Sequence, residues 1–180
     1  MLELKVEGME FFNDDTQEFY TVAPVTLRLE HSLVSVSKWE SKWKTPFLSA
    51  KDLTIEQSRD YIKCMTINQH VDPLVYASLT NSHMETVNEY IKEERTATTF
   101  DERRVGPPNR QVITSELIYF WMAQYNIPFE CQKWHLSRLL TLIRIASIKN
   151  APEKKMSKRA VMSKNASLNA ARRKAMHTKG

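Results

Sequence analysis

The stretch Val25-Thr26-Leu27-Arg28-Leu29-Glu30-His31-Ser32-Leu33-Val34-Ser35-Val36-Ser37-Lys38-Trp39 changes its hydrophobic period halfway along. Up to Glu30, apolar and polar residues alternate, the period of a strand with one buried face. Beyond it Leu33, Val36, Trp39 and then Trp43 recur at helical intervals, behind a Ser32 hydroxyl suited to cap a helix. One junction thus sets a strand against a helix, and the rest of the chain sorts to either side of it.

Upstream, Leu2, Leu4 and Val6 alternate with Glu3, Lys5 and Glu7. Phe11 and Phe12, a turn cluster at Asn13-Asp14-Asp15-Thr16, and then Phe19, Tyr20 and Val22 follow before Pro24 interrupts. This spacing predicts a small antiparallel meander over residues 1–30, which needs a helix to cover its apolar face. Downstream, Pro46 ends the first helix. Capping boxes at Thr54…Gln57 and Ser82…Glu85 open two more, and Asp72-Pro73 opens a short one. Residues 96–110 are charged and then turn-rich, an exposed loop. Thr114 caps a helix over Ser115–Tyr125. After Pro128 a last body helix is expected from Glu130 to Lys149, with apolar residues on more than one face. Such a helix is central in the core or is buried by a partner. The expected fold class is α+β: a mostly helical body over residues 31–152, the small N-terminal antiparallel β meander packed on it, and a basic C-terminal tail over residues 153–180, flexible or conditionally helical.

That tail divides the charge of the molecule. Glu153–Gly180 holds nine basic side chains and one acid, a net +8, whereas the whole chain is +5, so Met1–Pro152 carries −3. Lys154, Lys155, Lys158, Arg159, Arg172, Arg173 and Lys174 are the candidate contacts to an anionic partner. Nucleic-acid phosphates, an acidic protein surface and plain solvation all fit the composition; stacking on bases does not, because the tail has no aromatic residue.

Several chemistries are excluded. Gly8, Gly106 and Gly180 are the only glycines, too few for a phosphate-cradling P-loop or a dinucleotide-binding fingerprint. So few glycines also imply few turns with positive φ. No Gly-x-Ser-x-Gly elbow is present. Cys131 and His135, four apart, would share one helical face, but a zinc site needs two further ligands, and core packing is the better reading. Cys64 and Cys131 read as reduced packing thiols. The expectation is a protein with no catalytic residues, no metal and no cofactor. It has no apolar run near the roughly 18 residues of a membrane span. Its N-terminus lacks a signal-peptide core, so a cytoplasmic location is expected. Trp39 and Trp43, four apart, read as core, with an interface anchor as the alternative.

The segments Leu27–Phe47, Tyr61-Ile62-Lys63-Cys64-Met65-Thr66, Ile127-Pro128-Phe129-Glu130-Cys131-Gln132 and Asn169-Ala170-Ala171-Arg172-Arg173 together resemble a family of small proteins of long-tailed bacteriophages, described as tail assembly chaperones. The resemblance runs through most of the chain. It implies a non-enzymatic role in the host cytoplasm: keeping the helical tape measure protein soluble while tail tube subunits polymerise around it. Copies coating a rod imply a homo-oligomer. The family offers no catalytic residues. On this chain the protein-binding face is expected from Trp39, Trp43, Trp134, Leu139 and Ile143, by helix-in-groove recognition. The alternative is a structural head or connector protein, retained in the virion, whose basic tail touches DNA. A small DNA-binding regulator is a third reading, disfavoured because no helix-turn-helix signature stands out.

Overall fold

A computed structural model describes residues 1–14, 17–100, 111–151 and 158–177. It divides into two units, Met1–Ser147 and Ile148–Gly180. The first begins with β1 (Leu2–Val6), β2 (Met9–Asn13), β3 (Glu18–Val22) and β4 (Val25–Leu29). All pairing is antiparallel, but the order is nested: β1 pairs β4 and β2 pairs β3. The strands therefore form one long hairpin rather than a meander with sequential pairing. Val6 faces Val25 and Met9 faces Val22, so the register runs straight through the interruption. Pro24 explains the interruption, since it has no N–H to give the ladder. Gly8 lies across from it, where a Cβ would stand 3.0 Å from the Val22 carbonyl and 3.1 Å from the Pro24 ring.

The base of the hairpin is the buried end. Leu4, Val6, Leu27 and Leu29 enter the core, while Glu3, Lys5, Thr26 and Arg28 face outward. The outer edge of β4 is closed by the segment after α2. Glu30 N–H donates to the Met65 carbonyl, and Ile67 N–H to the Arg28 carbonyl. The Asn68 amide then accepts from Arg28 N–H at 2.7 Å and donates to the Thr26 carbonyl at 3.1 Å. The tip of the hairpin is different: Phe12, Phe19 and Tyr20 are exposed, with the Phe12 and Phe19 rings 4.9 Å apart.

Among the described residues six α-helices follow in this order: α1 (Leu33–Trp43), α2 (Ile55–Met65), α3 (Pro73–Ala77), α4 (Asn81–Lys92), α5 (Ser115–Gln124) and α6 (Leu136–Asn150). The start signals act as read at Ser32, Thr54, Asp72 and Thr114, each of whose side chains accepts from a backbone N–H of its first turn. Helix α4 starts two residues earlier than expected. Thr80 is its cap, and the reciprocal acceptor is His83 Nδ1 rather than a Glu or Gln carbonyl. The last helix starts six residues late. Phe129–Lys133 turns as a 3₁₀ segment, Trp134 is extended, and Leu136 N–H donates to the His31 carbonyl at 2.7 Å. That contact between distant segments redirects the chain, so Cys131 and His135 do not share a helical face. Positive φ is also commoner than the glycine count implies: Gln17, Lys44, His70, Asn126 and His177 all adopt it.

Helix α1 is the centre of this unit, with Leu33, Val36 and Trp39 fully enclosed. Ile118 and Met122 from α5 and Leu136, Leu139 and Ile143 from α6 complete the core. In the second unit, α7 (Lys158–Met176) is one 19-residue helix. No helix among the described residues is long and apolar enough to cross a membrane.

Candidate functional site

Helix α1 carries a carboxylate into the core. Glu40 is only 7% exposed, and it is satisfied entirely by backbone. One oxygen accepts from Phe47 N–H and the other from Ser115 N–H, both at 2.8 Å. A single side chain thereby ties the turn after α1 to the start of α5. Phe47, held in place this way, stacks on Tyr61 at 3.9 Å, and the Trp39 ring packs edge-on against Phe47 at 5.2 Å. The Trp39 indole donates to the Gln57 carbonyl.

A second buried cluster joins α1, α4 and α6. The His31 and His135 rings lie 5.2 Å apart. His135 has its tautomer fixed by its partners. Its Nε2 donates to the Tyr90 carbonyl, which can only accept. Its Nδ1 therefore accepts from the Ser137 hydroxyl, which in turn accepts from Arg95 N–H. His31 Nδ1 bonds the Tyr61 hydroxyl. Burial, with His135 alongside, lowers the His31 pKa to about 3, and burial lowers that of His135 too. Burial pushes the Tyr61 hydroxyl far upward. Both imidazoles are thus neutral, structural groups at physiological pH.

In front of the Phe47–Tyr61 stack lies a groove of about 660 Å³ between α2, α4 and the Phe47–Ser49 turn. Its floor is apolar, with Ile62 and Val87 buried. Its rim is apolar and open: Leu48 is 39% exposed and Ile55 70%. Arg59, Lys51 and Lys92 also line it.

The residues singled out from the sequence are not brought together. Trp39, Leu139 and Ile143 are buried in the chain's own core, so in this conformation they offer no face to a partner. Trp43 is half-buried, and its indole donates to Asp60, which Lys42 also engages. Trp134 is half-buried beneath the Arg138 guanidinium, 4.3 Å from its ring. Lys158, Arg159, Arg172, Arg173 and Lys174 stand exposed on α7, whereas Lys154 and Lys155 lie outside the described residues. Among the described residues no group of three or more potential metal ligands converges. Reading the sequence missed the groove, whose walls come from segments far apart in the chain. Comparison with protein-family models, with curated proteins and with solved structures gives no match.

Proposed function

We propose that the protein is a non-enzymatic assembly factor: a phage tail assembly chaperone that binds the tape measure protein, tail tube subunits or both. The sequence resemblance supplies the role, and helix α7 is the observation that supports a binding function most directly. It holds six basic residues and no acid, and every side chain described on it is exposed. Val161, Met162, Leu168 and Met176 are exposed with them. A helix with so little of its own burial is marginal by itself and gains stability on a partner. Cations interleaved with apolar groups suit an acidic, amphipathic client surface.

Co-expression with the tape measure and tail tube proteins tests the reading. The expected outcome is co-purification with one of them, weakened when residues 153–180 are removed, and absence of the protein from mature particles. Stoichiometric amounts in purified virions by mass spectrometry would replace the chaperone by a structural head or connector protein. That second reading has its own support in the two cationic ends of α7, Lys158-Arg159 and Arg172-Arg173-Lys174. They are spaced about 20 Å apart at 1.5 Å per residue, a span suited to DNA phosphates. Contact by six cations predicts a DNA affinity whose logarithm falls with that of salt at a slope of about −5.

A further inference from the structure

The groove on the body holds an unbalanced charge. Among the described residues three cations line it, Arg59, Lys51 and Lys92, and no Asp or Glu does. Arg59 is incompletely satisfied by its own chain. Its Nε is shut away from solvent with no hydrogen-bond partner, and its Nη2 reaches only the Leu79 carbonyl, at 3.5 Å. A buried donor left this way is a standing cost to the fold. The next residue, Asp60, is no remedy, because Lys42 and Trp43 already hold it. No acid among the described residues forms an ion pair with Arg59. The second imbalance is apolar, since Ile55 and Leu48 stand in water at the rim of a floor that is already greasy.

We propose that this groove docks a short amphipathic segment of a partner protein, whose apolar side chains cover Ile55, Leu48 and Met84 and whose Asp or Glu meets the Arg59 guanidinium. An arginine–carboxylate contact is charge-assisted, and it would be made by the terminal nitrogens of the guanidinium, where Nη2 has only the long contact to the Leu79 carbonyl among the described residues. The volume holds a few side chains and not a whole helix, so the segment lies along the rim and dips its anchors inward. Lys51 and Lys92 add attraction for an acidic segment during approach. As the seat of an assembly client the groove rests on the reading proposed above.

The test is a selection of random peptides, displayed on yeast, against the full-length protein, followed by titration of an enriched peptide by fluorescence anisotropy. Enriched peptides are expected to combine two apolar residues with an Asp or Glu. Replacing that acid by its amide, or Arg59→Gln in the protein, is expected to weaken binding about tenfold. Ile55→Asp and Leu48→Asp are expected to abolish binding while the circular-dichroism melt stays in place. Both positions are exposed, so they carry the test even where Arg59→Gln does not fold. Enrichment of peptides without an acid, no enrichment at all, or binding indifferent to Ile55→Asp overturns the proposal. Two other occupants overturn it as well: a second copy, seen as self-association lost in Ile55→Asp, and a fatty acid, seen as saturable binding of dodecanoate lost in Arg59→Gln. The peptides come from no phage. A groove that selects them while no tail protein co-purifies sinks only the client's identity, and the converse sinks only the groove.

Discussion

Helices α1 and α7 show two different ways for a segment to be helical. The first has 11 residues, the second 19, yet the shorter one has the caps and the buried face. Ser32 and Ser35 close a reciprocal cap on α1, Lys44 ends it in a left-handed turn, and Leu33, Val36 and Trp39 bury its inner face. Helix α7 rests on composition, with Ala, Lys, Arg, Leu and Met favouring helix at most positions, and it starts on Lys158 and Arg159, cations at the end where the helix dipole disfavours them. Propensity makes a segment able to be a helix; burial decides whether it stays one. The contrast predicts that changes to what α1 holds are felt by the whole body, and that changes to α7 are felt by binding alone.

The largest effect is expected at Glu40. Glu40→Ala strips two backbone N–H groups of a charged acceptor, at about 1.5–3 kcal/mol for each such bond. A urea-unfolding midpoint shifted by a loss of about 3–5 kcal/mol is expected; a shift under about 1 kcal/mol would show that water replaces the carboxylate freely. Next in size is acid. His31 titrates near 6.5 when unfolded and at about 3 when folded, so between those values the unfolded chain binds more protons and stability falls as pH falls. Full stability is present above about pH 6.5, and at pH 4.5 about 3 kcal/mol is gone, with His135 acting in the same direction. His31→Gln is expected to flatten the pH dependence of the urea midpoint over this range; an unchanged slope would assign the acid sensitivity to His135 or to carboxylates.

Much of the body is legible in the sequence, and the reasons it fails are local. Period-two runs at Leu2–Val6 and Val25–Leu29 and the caps at Ser32 and Thr54 depend on neighbours in the chain, and they appear where expected. The start of α4 was hidden because a histidine nitrogen does the work that a Glu or Gln carbonyl does in the usual cap. The start of α6 was hidden because its first amide is taken by His31, more than a hundred residues away in the chain. Trp39, Leu139 and Ile143 look like an interaction stripe only when each helix is read alone. The groove was invisible for the same reason in reverse. Arg59 in a sequence is one cation among many, and only packing shows that its neighbours leave it without an acid.

Smaller effects sharpen the same comparison. Trp43→Phe keeps the ring but drops the indole bond to Asp60, and a loss of about 1 kcal/mol in the urea midpoint is expected. Lys44→Gly relieves a left-handed turn (φ 53°) at the end of α1, with a gain of about 0.5–1 kcal/mol. No gain would mean that the lost side chain had been packing. The smallest effect on the body belongs to Ala166→Pro, in the middle of α7. Far-ultraviolet circular dichroism is expected to lose helical signal while the thermal midpoint of the body stays within experimental error. A lowered midpoint would mean that the two units support each other.

The amide of Asn68 has a consequence for how the hairpin meets other chains. By bonding both Arg28 and Thr26 it stands in for a neighbouring strand along the middle of β4. A chain offered to that stretch finds Arg28 N–H and the Arg28 and Thr26 carbonyls already taken, which opposes strand addition there. One short polar side chain thus closes a stretch of sheet edge that would otherwise be open to another strand.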